Sequence, residues 1–258
     1  MHLSLNDRVA LVTGGTRGIG AATSRAFAHA GARVVMGYES SKKQADSLIE
    51  EIGEGRAAAF ACDLGKPDAG RDLVARAIEK FGRLDVLVVN HGIWPPDDAP
   101  IDAMKEEQWR RTFAVNLDAA FSLVKYAVAQ MKKQEVRDGA RGHVVLVAST
   151  AAQRGEAFHA DYAASKGALV SMTKGLATEL AKDRIYVNCV APGWVMTDMA
   201  APALADEKVR AKVFGTIPLG RVGTPDEIAA PILFLCTPHA GFITGEVLNV
   251  NGGAVLVG

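Results

Sequence analysis

Seven short apolar runs, separated by longer amphipathic segments, constrain this chain more than any other feature. The runs are residues 9–12, 34–36, 57–61, 86–89, 144–147, 187–190 and 247–250. Each is apolar on both of the faces a strand presents, as strands are when helices cover the two sides of a parallel sheet. Helical patterns fall between them at 19–30, 42–52, 68–81, 106–131, 162–181 and 226–235. This alternation predicts an α/β fold, a doubly wound parallel sheet with helices on both faces. A chain of 258 residues fits one such domain, spanning 1–258, and no repeat or linker divides it. Two segments have no strand to join. Residues 94–102 are rich in Pro and Asp, and residues 196–218 are expected to form a mobile flap over a site.

Charge and cysteine usage exclude several functions. Twenty-nine basic residues balance twenty-nine acidic ones, so no net field recruits nucleic acid or an anionic membrane. No run of about 18 apolar residues suggests a membrane span, and no secretory leader is evident, which makes a cytoplasmic protein the expectation. Cys62, Cys189 and Cys236 are odd in number and set in apolar runs, and they read as reduced core residues. No His/Cys/Asp cluster has ligand spacing, so no metal is expected.

Directly after the first run comes Thr13-Gly14-Gly15-Thr16-Arg17-Gly18-Ile19-Gly20, and a helix opens at its end. Glycines let the backbone turn tightly against a pyrophosphate, and a helix N-terminus offers free N–H groups and a positive dipole end. Further along, Tyr162 and Lys166 stand four residues apart at the start of a helix, one turn apart on one face. An ammonium beside a phenol is expected to lower the tyrosine pKa from about 10 and make a better general acid. Asn116, a polar amide among Phe113, Val115, Leu117 and Phe121, is expected to be buried and to need partners.

Together these residues resemble the short-chain dehydrogenase/reductase family in its one-domain form, a Rossmann-like fold, over essentially the whole chain. Thr13-Gly14-x-x-x-Gly18-Ile19-Gly20 is similar to the family's cofactor turn, with Thr16 and Arg17 inside it. Tyr162-x-x-x-Lys166 resembles its active-site pair, with Ser149 thirteen residues earlier, and Asn116 its catalytic asparagine. The resemblance implies that Ser149 and Tyr162 reach a substrate carbonyl oxygen and that Tyr162 gives the proton. It further implies that Lys166 holds the nicotinamide ribose and that Asn116 holds a water linking Lys166 to solvent. Asp63 and Leu64 after the third strand, and Asn90 and Gly92 after the fourth, fall where the family contacts its cofactor. Pro192, Gly193, Val195 and Thr197 look like the segment that grips the carboxamide. Asp63 and Thr197 also fit a simpler role as helix N-caps.

The chain departs from the family after its fourth strand, where Val89-Asn90-His91-Gly92 stands in place of Asn-Asn-Ala-Gly. His91 is expected to be a packed, neutral histidine, with contact to the adenosine half of the cofactor as the alternative. His159 is a candidate for the substrate mouth. Cofactor choice rests on the end of the second strand. The acid that NAD-preferring relatives place there is replaced by Tyr38, while Arg17, with Ser40, Ser41 and Lys42, supplies donors for a 2′-phosphate. NADP(H) is therefore favoured, with NAD(H) the alternative that Glu39 supports. The implied activity is hydride transfer between nicotinamide and a small-molecule carbonyl or secondary alcohol. Residues 197–199, 217–221, 225–229 and 244–253 resemble those of 3-oxoacyl-carrier-protein reductases, but Thr178 stands where a basic residue is expected for a carrier protein. An NAD-dependent sugar, polyol or steroid dehydrogenase is the rival, and a cofactor-binding scaffold the non-enzymatic one. The apolar surrounds of 113–131 and 163–180, and the family resemblance, imply a homotetramer.

Overall fold

The computed structural model describes residues 3–257 and contains one seven-stranded sheet, all parallel, in the order β3-β2-β1-β4-β5-β6-β7. The strands are β1 Val9–Thr13, β2 Arg33–Tyr38, β3 Ala57–Ala61, β4 Val86–Val89, β5 Gly142–Val147, β6 Ile185–Pro192 and β7 Val247–Val250. All seven expected runs are strands: β3, β4 and β7 have the expected bounds, and β1, β2, β5 and β6 are longer where backbone pairing continues past the apolar residues. Helices on the two sides are α1 Gly18–His29, α2 Lys42–Ile52, α3 Ala69–Phe81, α4 Glu106–Phe113, α5 Ala119–Met131, the short α6 Ala151–Arg154, α7 Ala160–Leu180, α8 Ala201–Ala205, α9 Glu207–Gly215 and α10 Pro225–Leu235.

Strand burial on both faces explains the continuous apolar runs. On one side Phe27, Met36, Val88 and Ile232 pack where α1 lies against α10. On the other, Leu11, Leu87, Leu123 and Leu180 pack beneath α3, α5 and α7. Each such side chain contributes about 1.5–3 kcal/mol when fully buried. At the amino edge of the sheet, buried Asp85 accepts the Val9 N–H at 2.9 Å and pairs with Arg83 at 2.6 Å and Arg8 at 3.4 Å, which fixes β1 against β4. The chain order reverses between these two strands, so their carboxyl ends leave a crevice.

Two expectations change. The helix over 106–131 is not regular: residues Ala114–Asp118 form a π turn between α4 and α5, of the kind that recurs at functional sites. The segment 196–218 is no bare flap. It folds into α8 and α9 around its own cluster of Ala200, Leu204, Val213, Ile217 and Val222. No helix among the described residues is long and apolar enough to cross a membrane.

Candidate active site

A cleft of about 550 Å³ runs along the carboxyl edge of the sheet. Its floor at the switch point is the glycine turn after β1. Gly14 takes φ +59°, and a Cβ at Gly20 would lie 2.0 Å from the Gly14 carbonyl oxygen, so no side chain fits there. Gly14, Thr16, Arg17, Gly18 and Ile19 line the cleft, whereas Gly20 sits behind it as the close-packing position. Arg17 occupies the N-cap of α1 without a side-chain cap, which leaves that helix's first N–H groups available to an anion. The Thr16 hydroxyl is hydrogen-bonded to that of Ser41 and ties the turn to the end of β2.

Of the β2 candidates, Tyr38 and Glu39 reach the cleft. Ser40 does not. It is exposed to solvent, and buried Ser41 lines the cleft in its place. The charges here are arranged in pairs. Arg111, from α4, lies 3.1 Å from Asp63 and 3.6 Å from Glu39. Asp63 also accepts the Gly65 N–H at 2.9 Å. Burial opposes its charge, but the Gly65 and Arg111 bonds outweigh that and hold its carboxyl below the usual range. Arg17 stands across the cleft, 3.8 Å from Asp198. Sequence reasoning missed Arg111, because nothing in the pattern of α4 shows that it reaches two strand ends.

Leu64, Asn90 and Gly92 also line the cleft, as do Pro192 at the end of β6 and Gly193, Val195 and Thr197 beyond it. Asn90 donates to the carbonyls of Thr13 and Gly14 at 3.0 and 3.3 Å, fastening the end of β4 to the glycine turn. The methyl group of Thr197 rests on Gly18, and the expected N-cap of α3 is Asp68 rather than Asp63. Cys62 borders the cleft, whereas Cys189 and Cys236 are buried, and all three are free thiols.

Four side chains from three parts of the chain meet at the centre. Ser149 follows β5, Tyr162 and Lys166 lie on α7, and Asn116 lies in the π turn. Ser149 accepts the Ala151 N–H at 3.1 Å and keeps its own proton, and it lines the cleft together with Tyr162. Lys166 is buried and donates to the Val147 carbonyl at 2.9 Å. Asn116 is buried as expected: it accepts from Ile93 N at 2.8 Å and donates to Ile93 O and Ser165 Oγ, both at 3.0 Å, which leaves one lone pair on its Oδ1. Ser165 was not singled out in the sequence, although its place beside Lys166 put it on the inward side of the helix. A Cβ on Gly92 would lie 3.1 Å from Lys166 Nζ and 3.2 Å from Asn116 Oδ1. The absence of a side chain there keeps the space between them open.

The tyrosine differs from expectation. Burial pushes the phenol up to about 12, the Ser149 bond pulls it back only in part, and the Glu156 charge adds to the rise. Lys166 is pushed down to about 8 by burial. The expected depression of Tyr162 by its neighbour is missing for a physical reason. Desolvation penalises both charged forms, and the ammonium is directed onto Val147 O. His91 is the neutral, packed histidine expected, bonded to Thr13 Oγ1 at 2.8 Å and Val115 O at 2.9 Å. His159 stacks on Trp94 at 4.7 Å and donates from Nε2 to the Pro95 carbonyl at 2.9 Å, which fixes its ring beside the cleft-lining Trp94. Among the described residues no group of three or more His, Cys, Asp or Glu could hold a metal ion.

Residues 14–255 match a family model described as enoyl-(acyl carrier protein) reductase. The chain belongs to the short-chain dehydrogenase/reductase family. It is 38% identical over 256 residues to the 3-oxoacyl-[acyl-carrier-protein] reductase FabG of Thermotoga maritima, covering 98% of this chain and 100% of that one. It is likewise 39% identical to the L-rhamnose 1-dehydrogenase (NAD(P)(+)) of Azotobacter vinelandii, covering 96% and 97%. A solved short-chain dehydrogenase/reductase from Brucella melitensis, described as glucose/ribitol dehydrogenase, superposes with a TM-score of 0.89 at 36% identity over the full length of both chains. As a member of the short-chain dehydrogenase/reductase family, the protein is an NAD(P)-dependent oxidoreductase.

Proposed function

We propose that this single domain, 1–258, is an NADP(H)-dependent reductase that interconverts a carbonyl and a secondary alcohol, with a 3-oxoacyl thioester as the first candidate substrate. One observation carries the reading: Ser149, Tyr162 and Lys166 line the same cleft, with Lys166 one turn behind Tyr162 on α7. The cofactor supplies or accepts a hydride when bound. The uncapped α1 N-terminus and the glycine turn suit its pyrophosphate, and Lys166 suits its nicotinamide ribose. Ser149 and Tyr162 donate to the substrate oxygen and stabilise the negative charge that develops there, an effect worth a few kcal/mol. Tyr162 then gives its proton to that oxygen. Lys166, close to neutrality in pKa, passes a proton toward Tyr162, and Asn116 links it to solvent through a water.

Support for the 2′-phosphate comes from the charge pairs. Glu39 would repel it alone, but Arg111 offsets that charge at 3.6 Å and Arg17 is half-exposed on the facing side. Trp94, Trp194 and half-exposed Met199 give the cleft an apolar portion that suits an acyl chain. Arg154 and Glu156 in the same cleft favour the second reading, a sugar or polyol dehydrogenase. We further propose a homotetramer in the cytoplasm.

The test is kcat/KM for a 3-oxoacyl-CoA and for L-rhamnose, each with both cofactors. A tenfold preference for NADPH, about 1.4 kcal/mol, and turnover of the thioester are expected. Preference for NADH, or turnover of the sugar alone, would give the second reading.

A further inference from the structure

The π turn is held by a residue outside the proposed catalytic set. In a regular α-helix the Ala119 N–H would bond Val115 O, but here it goes to Ala114 O. The Val115 carbonyl instead accepts from His91 Nε2 at 2.9 Å. A carbonyl oxygen only accepts, so Nε2 carries the ring hydrogen and Nδ1 is the acceptor. Thr13 Oγ1, 2.8 Å from Nδ1, is then the donor, and the same oxygen accepts the Asn90 N–H at 3.0 Å. A chain of bonds thus runs from β1 through the imidazole to the π turn. Two residues on, Ile93 grips Asn116 by both its N–H and its carbonyl. His91 and Ile93 together fix residues 115 and 116 against the end of β4.

We propose that His91 is a positioning residue for this reaction, its imidazole holding the Val115 carbonyl out of the helical ladder so that Asn116 stays aligned with Lys166. The proposal rests on the role given to Asn116 above. Replacement by alanine removes the donor that holds Val115 O. Replacement by glutamine keeps an amide nitrogen within reach of that carbonyl, and an oxygen able to accept from Thr13.

The experiment compares His91→Ala, His91→Gln, Asn116→Ala and the double variant His91→Ala/Asn116→Ala. In His91→Ala, hydrogen exchange of the amides over 114–120 is expected to quicken. Its kcat is expected to fall about ten- to a hundredfold, as misplacement of a catalytic group does. The dissociation constant for NADPH, read by fluorescence, should stay within about twofold, since transition-state interactions alone are lost. His91→Gln should recover most of the kcat and the slow exchange. In the Asn116→Ala background the His91 change should have little further effect on kcat. Wild-type exchange over 114–120 in His91→Ala overturns the proposal, as does a loss that adds in full to that of Asn116→Ala. Should Asn116→Ala keep full activity, the relay falls. Quickened exchange with glutamine rescue still supports the anchoring role of His91, and its absence overturns it.

Discussion

Tyr162 and Lys166 carry the residue-scale consequences. Tyr162→Phe removes one hydroxyl and little volume, so folding and NADPH affinity should hardly change, while kcat should fall about 10²–10⁴-fold. Retention of more than about a tenth of wild-type kcat alongside normal cofactor binding contradicts Tyr162 as the proton donor. The pH dependence follows from the two shifted groups. With its phenol near 12, Tyr162 stays protonated across the neutral range, and the group that changes charge there is Lys166, near 8. Lys166 holds its proton below that value and loses it above. The kcat for carbonyl reduction should therefore fall as pH rises through about 8. Lys166→Met should abolish that limb of the profile, and a limb that persists in the variant would assign it to another group. The residues themselves were legible, since Gly14, Asn116, Ser149, Tyr162 and Lys166 each have a motif. The direction of the Tyr162 shift was not, because desolvation depends on what encloses a group and spacing says nothing of that. Ser41 against Ser40 is similar: which of two adjacent side chains turns inward is settled by the Thr16 hydroxyl opposite.

At the scale of elements, periodicity located every strand and the main helices, because burial of both sheet faces leaves an unbroken apolar signature. It missed the π turn, since residues 113–131 are apolar nearly all round and a change of phase among them leaves no visible break in the pattern. It also missed α8 and α9, whose small cluster is too short to show a period. The helices differ in how their starts are secured. α10 has a complete capping box, with Thr224 Oγ1 accepting from Glu227 N and Glu227 accepting from Thr224 N. Thr224→Ala should cost about 1 kcal/mol in chemical denaturation. Leu123→Ala, at a fully buried position of α5, should cost about 2–5 kcal/mol. A larger loss from the cap than from the core would reverse the ranking of the two contributions.

For the whole molecule, the outer surface of α4, α5 and α7 is the part left unexplained by a single copy. Phe121 is 59% exposed and Trp109 38%. Ala164 and Ser171 leave a shallow, small-residue strip on the exposed side of α7. Apolar helices of this kind fit an isologous contact with a second copy. Light scattering at micromolar concentration should report a tetramer, and Phe121→Asp should shift the population toward smaller species. A wild-type monomer under the same conditions would leave this surface without its expected partner.

The π turn also sets a phase. Each residue of an α-helix advances the chain by about 100° around its axis, so the extra residue at 114–118 rotates all of α5 relative to α4. With that offset, Thr112 and Gln108 of α4 point at Asp161 of α7, while Leu123, Ala127 and Met131 of α5 face the sheet. Deleting one residue between 114 and 118 would restore a regular helix and leave the two halves out of step. Either α5 would turn its apolar stripe away from the sheet, or α4 would release Asp161. The length of this segment is therefore as tightly specified as its sequence, and a single-residue deletion there should be far more damaging than any substitution at its exposed positions.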